Sequence, residues 1–262
     1  MKHQPISGDP LPYHARPYSR IAVFGAGSWG TALASTLARA GVETCLWGRD
    51  EEVTKAINTQ SRNTRHLPDV DLPSNLRAES NMRAALHNAD AALIVVPSRS
   101  VRTIARQIAE HASDTMPVAV CAKGIEAETG LLMTQVAEEE LGQRPVGCVS
   151  GPTFARETAL GHPTAATVAF PFTYADRLHP DQSAAARLAV SLTTESFRAY
   201  VSDDLVGVEI GGAVKNVIAI ACGMMTGAGF AENTRAALIT RGLDEMKALA
   251  EALGGRRETV TG

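Results

Sequence analysis

The sequence is poor in cysteine and has no metal-ligand pattern. Its four cysteines lie far apart in 262 residues, and no two form a C-x-x-C pair. This spacing excludes a disulfide framework and is typical of small buried thiols in a reducing compartment. The seven histidines also lack the spacing of metal ligands, so we predict no metal site.

A surplus of positive charge and long apolar runs are also missing. The 25 Lys and Arg residues are outnumbered by 28 Asp and Glu residues, which gives a net charge of −3 and argues against a nucleic-acid partner. No apolar segment typical of a signal peptide occurs in the first twenty residues. The longest uncharged stretch, 217–231, is shorter than the roughly 20 residues of a membrane-spanning helix. We therefore expect a soluble cytoplasmic protein without membrane insertion.

Short apolar runs alternate with helical patterns over most of the chain. The runs are 21–24, 44–47, 91–96, 118–121, 146–149, 165–169 and 197–201, and the helical patterns between them are 31–40, 101–111, 131–141 and 183–192. This alternation predicts an α/β domain of Rossmann type over residues 20–203, with a mainly parallel sheet covered on both faces. The first nineteen residues contain four prolines and no apolar period, which predicts a flexible N-terminal extension over 1–19.

The pattern changes at about residue 203. Two long helical patterns follow, at 204–225 and 232–253, and no strand-like run accompanies them. We therefore expect an all-helical second domain to begin at residue 204 and to continue to residue 262. Because two helices alone bury little apolar surface, we expect this domain to be incomplete and the chain to be truncated.

A glycine-rich turn follows the first predicted strand and opens the first predicted helix. Gly25, Gly27 and Gly30 form the pattern G-x-G-x-x-G in the setting that binds dinucleotides. Gly25 permits the tight turn, Gly27 leaves room for a pyrophosphate, and Gly30 allows close packing of helix and strand. The helix N-terminus adds unpaired N–H groups that favour an anion. The turn predicts a nicotinamide dinucleotide cofactor but does not identify a substrate.

The end of the second predicted strand bears on the choice of cofactor. An acid there binds the ribose 2′-hydroxyl of NAD, whereas an arginine accommodates the 2′-phosphate of NADP. Here Arg49 precedes Asp50, and Asp50 could instead cap the next helix. We favour NADPH and leave NADH open, with a solvated surface charge as the alternative reading of Arg49.

Two lysines stand at positions where a charge can reach a ligand. Lys215 shares a helix face with apolar residues and with Gly211 and Gly212. It either acts as a general acid or base with a lowered pKa or extends its ammonium group to solvent. Lys123 follows a predicted strand, at the sheet edge where ligands of parallel sheets bind, and so does the loop 150–155.

Several motifs together resemble one family, the NAD(P)-dependent glycerol-3-phosphate dehydrogenases of bacterial type. The matching stretches are 25–34, 121–126, 150–157, 209–217 and 236–243. The glycine-rich turn alone is unspecific, but the Ser-Gly-Pro-Thr-Phe-Ala loop and the Lys-Asn helix are specific. The resemblance implies reversible reduction of dihydroxyacetone phosphate to sn-glycerol 3-phosphate, a precursor of glycerophospholipids.

The resemblance also assigns roles to residues. It implies that Lys215 is the catalytic general acid and base, and that the substrate is bound by Lys123, Gly151, Thr153 and Lys215. The cofactor contacts it implies, beside the three glycines of the turn, are Ser28, Trp29, Arg49, Lys123 and Ala155. The family pattern continues past the end of this chain with further substrate and cofactor contacts, so the activity of the chain as given stays open.

Two alternatives remain at this point. One is a related two-domain dehydrogenase for 6-phosphogluconate or a hydroxy acid, because such enzymes also place a Lys-Asn pair on a helix. The other is an inactive truncated nucleotide-binding module. The expected partner is a phosphorylated triose or glycerol, and a homodimer is possible.

Overall fold

A computed structural model describes residues 14–260 and contains one eight-stranded sheet. The strand order is β3-β2-β1-β4-β5-β6-β7-β8, and neighbouring strands are parallel except for β6 and β7. The strands are β1 Arg20–Phe24, β2 Glu43–Trp47, β3 Arg77–Glu79, β4 Ala91–Ile94, β5 Val118–Val120, β6 Val146–Ser150, β7 Thr164–Ala169 and β8 Phe197–Ser202. The predicted Rossmann-type, mainly parallel sheet is confirmed.

Ten α-helices accompany the sheet in the described residues. They are α1 Ser28–Arg39, α2 Glu51–Gln60, α3 Met82–Leu86, α4 Val101–Ala109, α5 Met133–Leu141, α6 Ala155–Leu160, α7 Tyr174–Leu178, α8 Ala184–Leu192, α9 Leu205–Gly227 and α10 Glu232–Ala252. The sequence predicted α2 only as the helix that Asp50 could cap and α6 only as a short helix after Thr153, and it did not predict β3, α3 or α7. The elements β3, α3, α6 and α7 each have three to six residues, too few for a helical or alternating pattern to stand out.

The strands are buried on both faces, as their apolar composition predicts. In β1, Ile21 and Val23 belong to one core cluster, while Ala22 and Phe24 belong to the other. The first cluster includes residues of α1 and α8, and the second includes residues of α4 and α5. Helices therefore cover both faces, and the carboxyl ends of β1, β4, β5 and β6 open at one edge of the sheet.

The helices α9 and α10 pack against each other after the last strand. Asp204 caps α9 through a hydrogen bond that its carboxylate accepts from the Gly207 N–H at 2.9 Å. In length and composition α9 could cross a membrane, but its first turns are buried against the sheet. The predicted all-helical character of this region is confirmed, and the domain limits stay a prediction.

The predicted N-terminal extension falls mostly outside the described residues. From residue 14 to residue 19 the chain forms no helix or strand. Tyr18 is nevertheless buried, its N–H donates to Ser191 Oγ at 2.9 Å, and the Arg187 guanidinium stacks on its ring at 4.1 Å. These contacts attach the start of the described chain to α8.

Candidate active site

The glycine-rich turn connects β1 to α1 at the carboxyl edge of the sheet. Gly25 has φ +126°, and a Cβ there would lie 2.4 Å from the Val95 carbonyl oxygen. A Cβ at Gly30 would lie 1.8 Å from the Gly25 carbonyl oxygen, so only glycine permits this approach of helix to strand. A Cβ at Gly27 would meet nothing within 4 Å, because this residue faces open space above the start of α1. The turn thus has the cavity that a pyrophosphate needs.

A segment after α2 braces the turn, and sequence reasoning missed it. Asn63 is fully buried, and its Nδ2 donates to the Ala26 carbonyl at 2.9 Å and to Thr31 Oγ1 at 2.8 Å. Ser28 Oγ donates to the His66 carbonyl at 2.9 Å. Because Asn63 lies 37 residues from Ala26 in sequence, no local pattern announces this contact.

Two of the predicted cofactor residues share a cleft of about 310 Å³ beside the turn. Ser28 lines it from α1, and Ala155 lines it from the start of α6. Three neighbours that the sequence did not single out, His66, Phe154 and Arg156, complete much of its wall. Phe154 is 73% exposed, which is unusual for an aromatic side chain and leaves its ring open to a ligand. Trp29, also predicted to contact the cofactor, packs partly buried against the first core cluster.

The adjacent residues Arg49 and Asp50, which follow β2, have different surroundings in the structure. The Asp50 carboxylate caps α2, accepting hydrogen bonds from the N–H groups of Glu52 at 3.0 Å and Val53 at 3.3 Å. It also pairs with Arg65 at 2.7 Å, and this hydrogen bond lowers the pKa of Asp50. Arg49 is exposed. The Asp50 carboxylate is therefore engaged by α2 and by Arg65, whereas the Arg49 side chain lies at the surface.

The four predicted substrate residues meet at one carbonyl group. Gly151, which follows β6, accepts a hydrogen bond from Lys215 Nζ at 2.7 Å and from Lys123 Nζ at 3.2 Å. The Thr153 N–H donates to the same oxygen at 3.0 Å. Lys123 follows β5 and Lys215 lies on α9, so the sheet edge and the helical region converge on this point.

Two glycines make this convergence possible. A Cβ at Gly212 would lie 2.5 Å from Ser150 Oγ, so the absence of a side chain lets α9 approach the end of β6. A Cβ at Gly151 would lie 2.8 Å from the Ala165 carbonyl oxygen on β7. Close packing against Ser150 thus explains the glycine at position 212. It does not explain Gly211, because a Cβ there would come no nearer than 4.0 Å to any atom outside its own stretch of helix.

The two ammonium groups make the site electropositive. Burial, and then repulsion from Lys215, lower the pKa of Lys123 to about 8. Within residues 14–260 neither lysine forms an ion pair with a carboxylate. Two adjacent cations without a counter-ion form a site suited to an anion or to developing negative charge.

An ion-pair cluster holds the loop that carries Lys123. The Arg102 guanidinium on α4 binds both oxygens of Glu126, at 3.0 Å from Nε and 2.7 Å from Nη2. This pair, together with a hydrogen bond from Thr129, lowers the pKa of Glu126 to about 2. Glu126 belongs to a stretch that the sequence analysis used only for the resemblance. The structure shows that it ties the loop to α4.

A glycine-rich dinucleotide turn and two converging lysines, which follow strands or pack at the carboxyl edge of one parallel sheet, are typical of the NAD(P)-dependent oxidoreductases. Comparison with known proteins identifies the family. Residues 20–174 match the family described as NAD-dependent glycerol-3-phosphate dehydrogenase N-terminus, and residues 204–262 match its C-terminus. The chain belongs to the NAD-dependent glycerol-3-phosphate dehydrogenase family, which confirms the predicted resemblance and the predicted NAD or NADP cofactor.

Individual relatives agree with this assignment. Glycerol-3-phosphate dehydrogenase [NAD(P)+] of Paramagnetospirillum magneticum is 48% identical over 243 residues, which cover 93% of this chain and 85% of that protein. The protein of the same name from Rhodospirillum rubrum is 46% identical, with 92% of this chain and 67% of that protein covered. The crystal structure of glycerol-3-phosphate dehydrogenase from Coxiella burnetii superposes with a TM-score of 0.83 at 38% identity, covering 93% of this chain and 72% of that one.

Proposed function

We propose that this protein interconverts dihydroxyacetone phosphate and sn-glycerol 3-phosphate with NAD(P)H, and that Lys215 is its general acid and base. The observation that carries the proposal is the convergence of Lys123 and Lys215 on the Gly151 carbonyl. This pair of cations offers charge for a phosphorylated substrate and a proton donor at the same place. The names of the relatives agree with this activity.

The residues present fit a nicotinamide dinucleotide. The open space at Gly27 and the unpaired N–H groups at the start of α1 suit the pyrophosphate, while Ser28, Trp29, Lys123 and Ala155 are the proposed further contacts. When bound, the reduced cofactor supplies the hydride that is added to C2 of the ketone. The residues of this chain supply the binding site, the orientation and the proton.

Lys215 and Lys123 have different proposed tasks. Addition of a hydride to C2 leaves negative charge on the C2 oxygen, and the Lys215 ammonium donates the proton that this oxygen needs. In the reverse direction the neutral amine accepts the proton from the hydroxyl group. Lys123, together with Gly151 and Thr153, holds the substrate so that this oxygen faces Lys215. Its positive charge also stabilises the anionic transition state.

The finer points of the proposal concern the choice of cofactor, the limits of the domains, and the cellular location and pathway of the enzyme. NADPH is favoured over NADH because the exposed Arg49 lies at the end of β2 while Asp50 caps α2. We place the dinucleotide-binding domain at 20–203 and the helical substrate domain from residue 204 onwards. We further propose that the enzyme is soluble and cytoplasmic and that its product, sn-glycerol 3-phosphate, is used in glycerophospholipid synthesis. Formation of a homodimer is a separate proposal.

The direct test is an absorbance assay at the nicotinamide band on the full-length gene product. NADPH and NADH are each mixed with dihydroxyacetone phosphate, and unphosphorylated dihydroxyacetone serves as the matched control substrate. We expect cofactor oxidation with the phosphorylated ketone and little with the control, since only the former carries the anion that the two lysines bind. Equal turnover of both ketones, or turnover of neither, would contradict the proposal.

A further inference from the structure

A buried carboxylate links the helical region to the α/β region, and the proposed chemistry does not use it. Glu209 lies on α9 and is only 8% exposed. One of its carboxylate oxygens accepts a hydrogen bond from the Thr134 N–H at 3.0 Å, and the other accepts a short hydrogen bond from the Thr134 hydroxyl. Thr134 belongs to the first turn of α5. Glu209 is a lone acidic residue on an apolar helix, which is a sequence signal of the same kind as the lone lysine at position 215.

The contact replaces a missing helix cap. The residue that precedes α5 is Leu132, whose side chain has no oxygen to accept from the first N–H groups of the helix. The carboxylate of Glu209 accepts from the Thr134 N–H and also interacts with the Met133 N–H, and its charge suits the positive end of the helix dipole. A side chain from the helical region thus completes a helix of the sheet domain.

The same stretch of α9 carries the proposed catalytic lysine. Glu209 and Lys215 lie six residues apart, about 9 Å along a helix axis and on different sides of it. Glu209 fixes α9 to the start of α5, and Lys215 reaches the carbonyl that follows β6. Between them Gly212 lies against Ser150. Movement of α9 at Glu209 would therefore displace the Lys215 ammonium group relative to Gly151.

We propose that Glu209 is a positioning residue, whose clamp on the first turn of α5 sets the place of Lys215 in the active site. This inference rests on the proposed role of Lys215 as general acid. The neutral carboxyl group makes the more stable contact, because burial disfavours the ionised form more than the hydrogen bonds from Thr134 and Met133 favour it. Ionisation of Glu209 therefore weakens the contact with α5.

The clamp is expected to depend on pH. Burial raises the pKa of Glu209 to about 7, and the negative charge of Glu138 on α5 acts in the same direction, while the hydrogen bonds from Thr134 and Met133 oppose them. The Cys148 thiol on β6 also interacts electrostatically with Glu209, and burial keeps the pKa of this thiol well above the ordinary range. Turnover should therefore fall as pH rises through about 7, because Glu209 ionises there and its contact with α5 weakens.

The test measures kcat, KM and cofactor Kd of Glu209→Ala and Glu209→Gln in the full-length gene product. Glu245→Ala is the matched control, because Glu245 is an exposed acid of α10 paired with Arg241. We expect Glu209→Ala to lower kcat by about tenfold or more while the NADPH Kd and the substrate KM change little. Glu209→Gln, which cannot ionise, should recover part of the loss, and its kcat should lack the fall near pH 7.

Three outcomes would overturn the proposal. The first is a folded Glu209→Ala variant with kcat within about twofold of the parent, and the second is a rise in KM alone. The third is an unchanged fall in kcat near pH 7 in Glu209→Gln. Should Glu209→Ala not fold, Thr134→Val removes one donor to the carboxylate and should lower kcat in the same way. Lys215→Ala is measured in parallel to separate the proposed role of Glu209 from that of Lys215. Normal turnover of the Lys215→Ala variant would contradict the role of Lys215 itself.

Discussion

The α/β region and the helical region of this chain differ in how they are stabilised. The sheet is buried on both faces in two large clusters, whereas in residues 14–260 the helices α9 and α10 contribute Ile210, Met246 and Ala250 to one small cluster and Val208 to another. Beyond the active site α9 exposes large apolar side chains, with Val217 at 66% and Met224 at 70% exposure. The first region has a large core of its own, whereas the described part of the second packs through α9 against α10 and the end of β6.

This difference assigns different tasks to the two regions. A rigid glycine-rich turn, braced by Asn63, suits the recognition of a cofactor. The helical region delivers one ammonium group, and its placement depends on a few polar contacts at Glu209, Gly212 and Lys215. Substitutions in the first region should therefore change cofactor binding, and substitutions in the second should change turnover.

The largest effect is expected for Lys215→Ala in the full-length gene product. It should lower kcat by about 10²–10⁴-fold, equivalent to about 3–5 kcal/mol, while cofactor Kd stays near the parent value. Folding should survive, because alanine favours the helix and removes a partly buried charge. Steady-state kinetics beside a circular dichroism spectrum provide the check, and a folded variant within about tenfold of the parent would count against the assignment.

Gly27→Val tests the role of the α/β region in cofactor binding. The added side chain points into open space in the structure, so the fold should be kept, yet it would fill the space of the pyrophosphate. We expect loss of about 100-fold or more in NADPH affinity, or about 3 kcal/mol, by isothermal titration of the folded variant. Undiminished affinity would remove the turn from the cofactor site.

Glu209→Gln should change how stability depends on pH. The folded-state pKa of about 7 is above the ordinary 4.5 of an unfolded glutamate, so its stabilising contribution is fully present below about pH 4.5 and is lost as pH rises through 7. The free energy of unfolding of the variant, relative to the parent, should therefore rise by about 3 kcal/mol between pH 4.5 and 8. Denaturant titrations at several pH values measure it, and a constant difference would show that Glu209 does not titrate in this range.

Arg49→Ala should reduce the preference for NADPH over NADH. A charge-assisted contact with the 2′-phosphate contributes about 1.5–3 kcal/mol, so the ratio of the two cofactor affinities should fall by about 10- to 150-fold. Arg62→Ala is the matched control, since Arg62 is an arginine that pairs with Asp71 after α2. If both variants keep the parental ratio, Arg49 is a surface charge only.

The sequence predicted those parts of the molecule that have a local pattern. The apolar runs predicted seven of the eight strands, and the glycine-rich turn was recognised from its setting between strand and helix. The three-residue β3 escaped because it contains two charged residues and a single alanine. Elements this short are specified by their neighbours in the sheet and not by their own composition.

The residues of the candidate site likewise divide into those with a local sequence signal and those without one. Lys215 was singled out because a charge interrupts an apolar helix face, and Lys123 because it follows a strand. Their convergence on one carbonyl could not be read from spacing, because 92 residues separate them and only the packing of α9 on β6 brings them together. Asn63 and Arg102 contact residues that are 37 and 24 positions away in sequence, and their roles became visible only in the fold.

The most direct test of the central claim is the binding of dihydroxyacetone phosphate as a function of pH. The titration uses the full-length gene product with saturating oxidised cofactor, so that no turnover occurs, and compares it with Lys123→Ala. Because the pKa of Lys123 is about 8, substrate Kd should be nearly constant from pH 6.5 to 7.5 and weaken by up to about tenfold per pH unit above 8, and the variant should lose this dependence. Equal affinity of parent and variant, with no change up to pH 9.5, would contradict the claim that the two lysines bind the substrate.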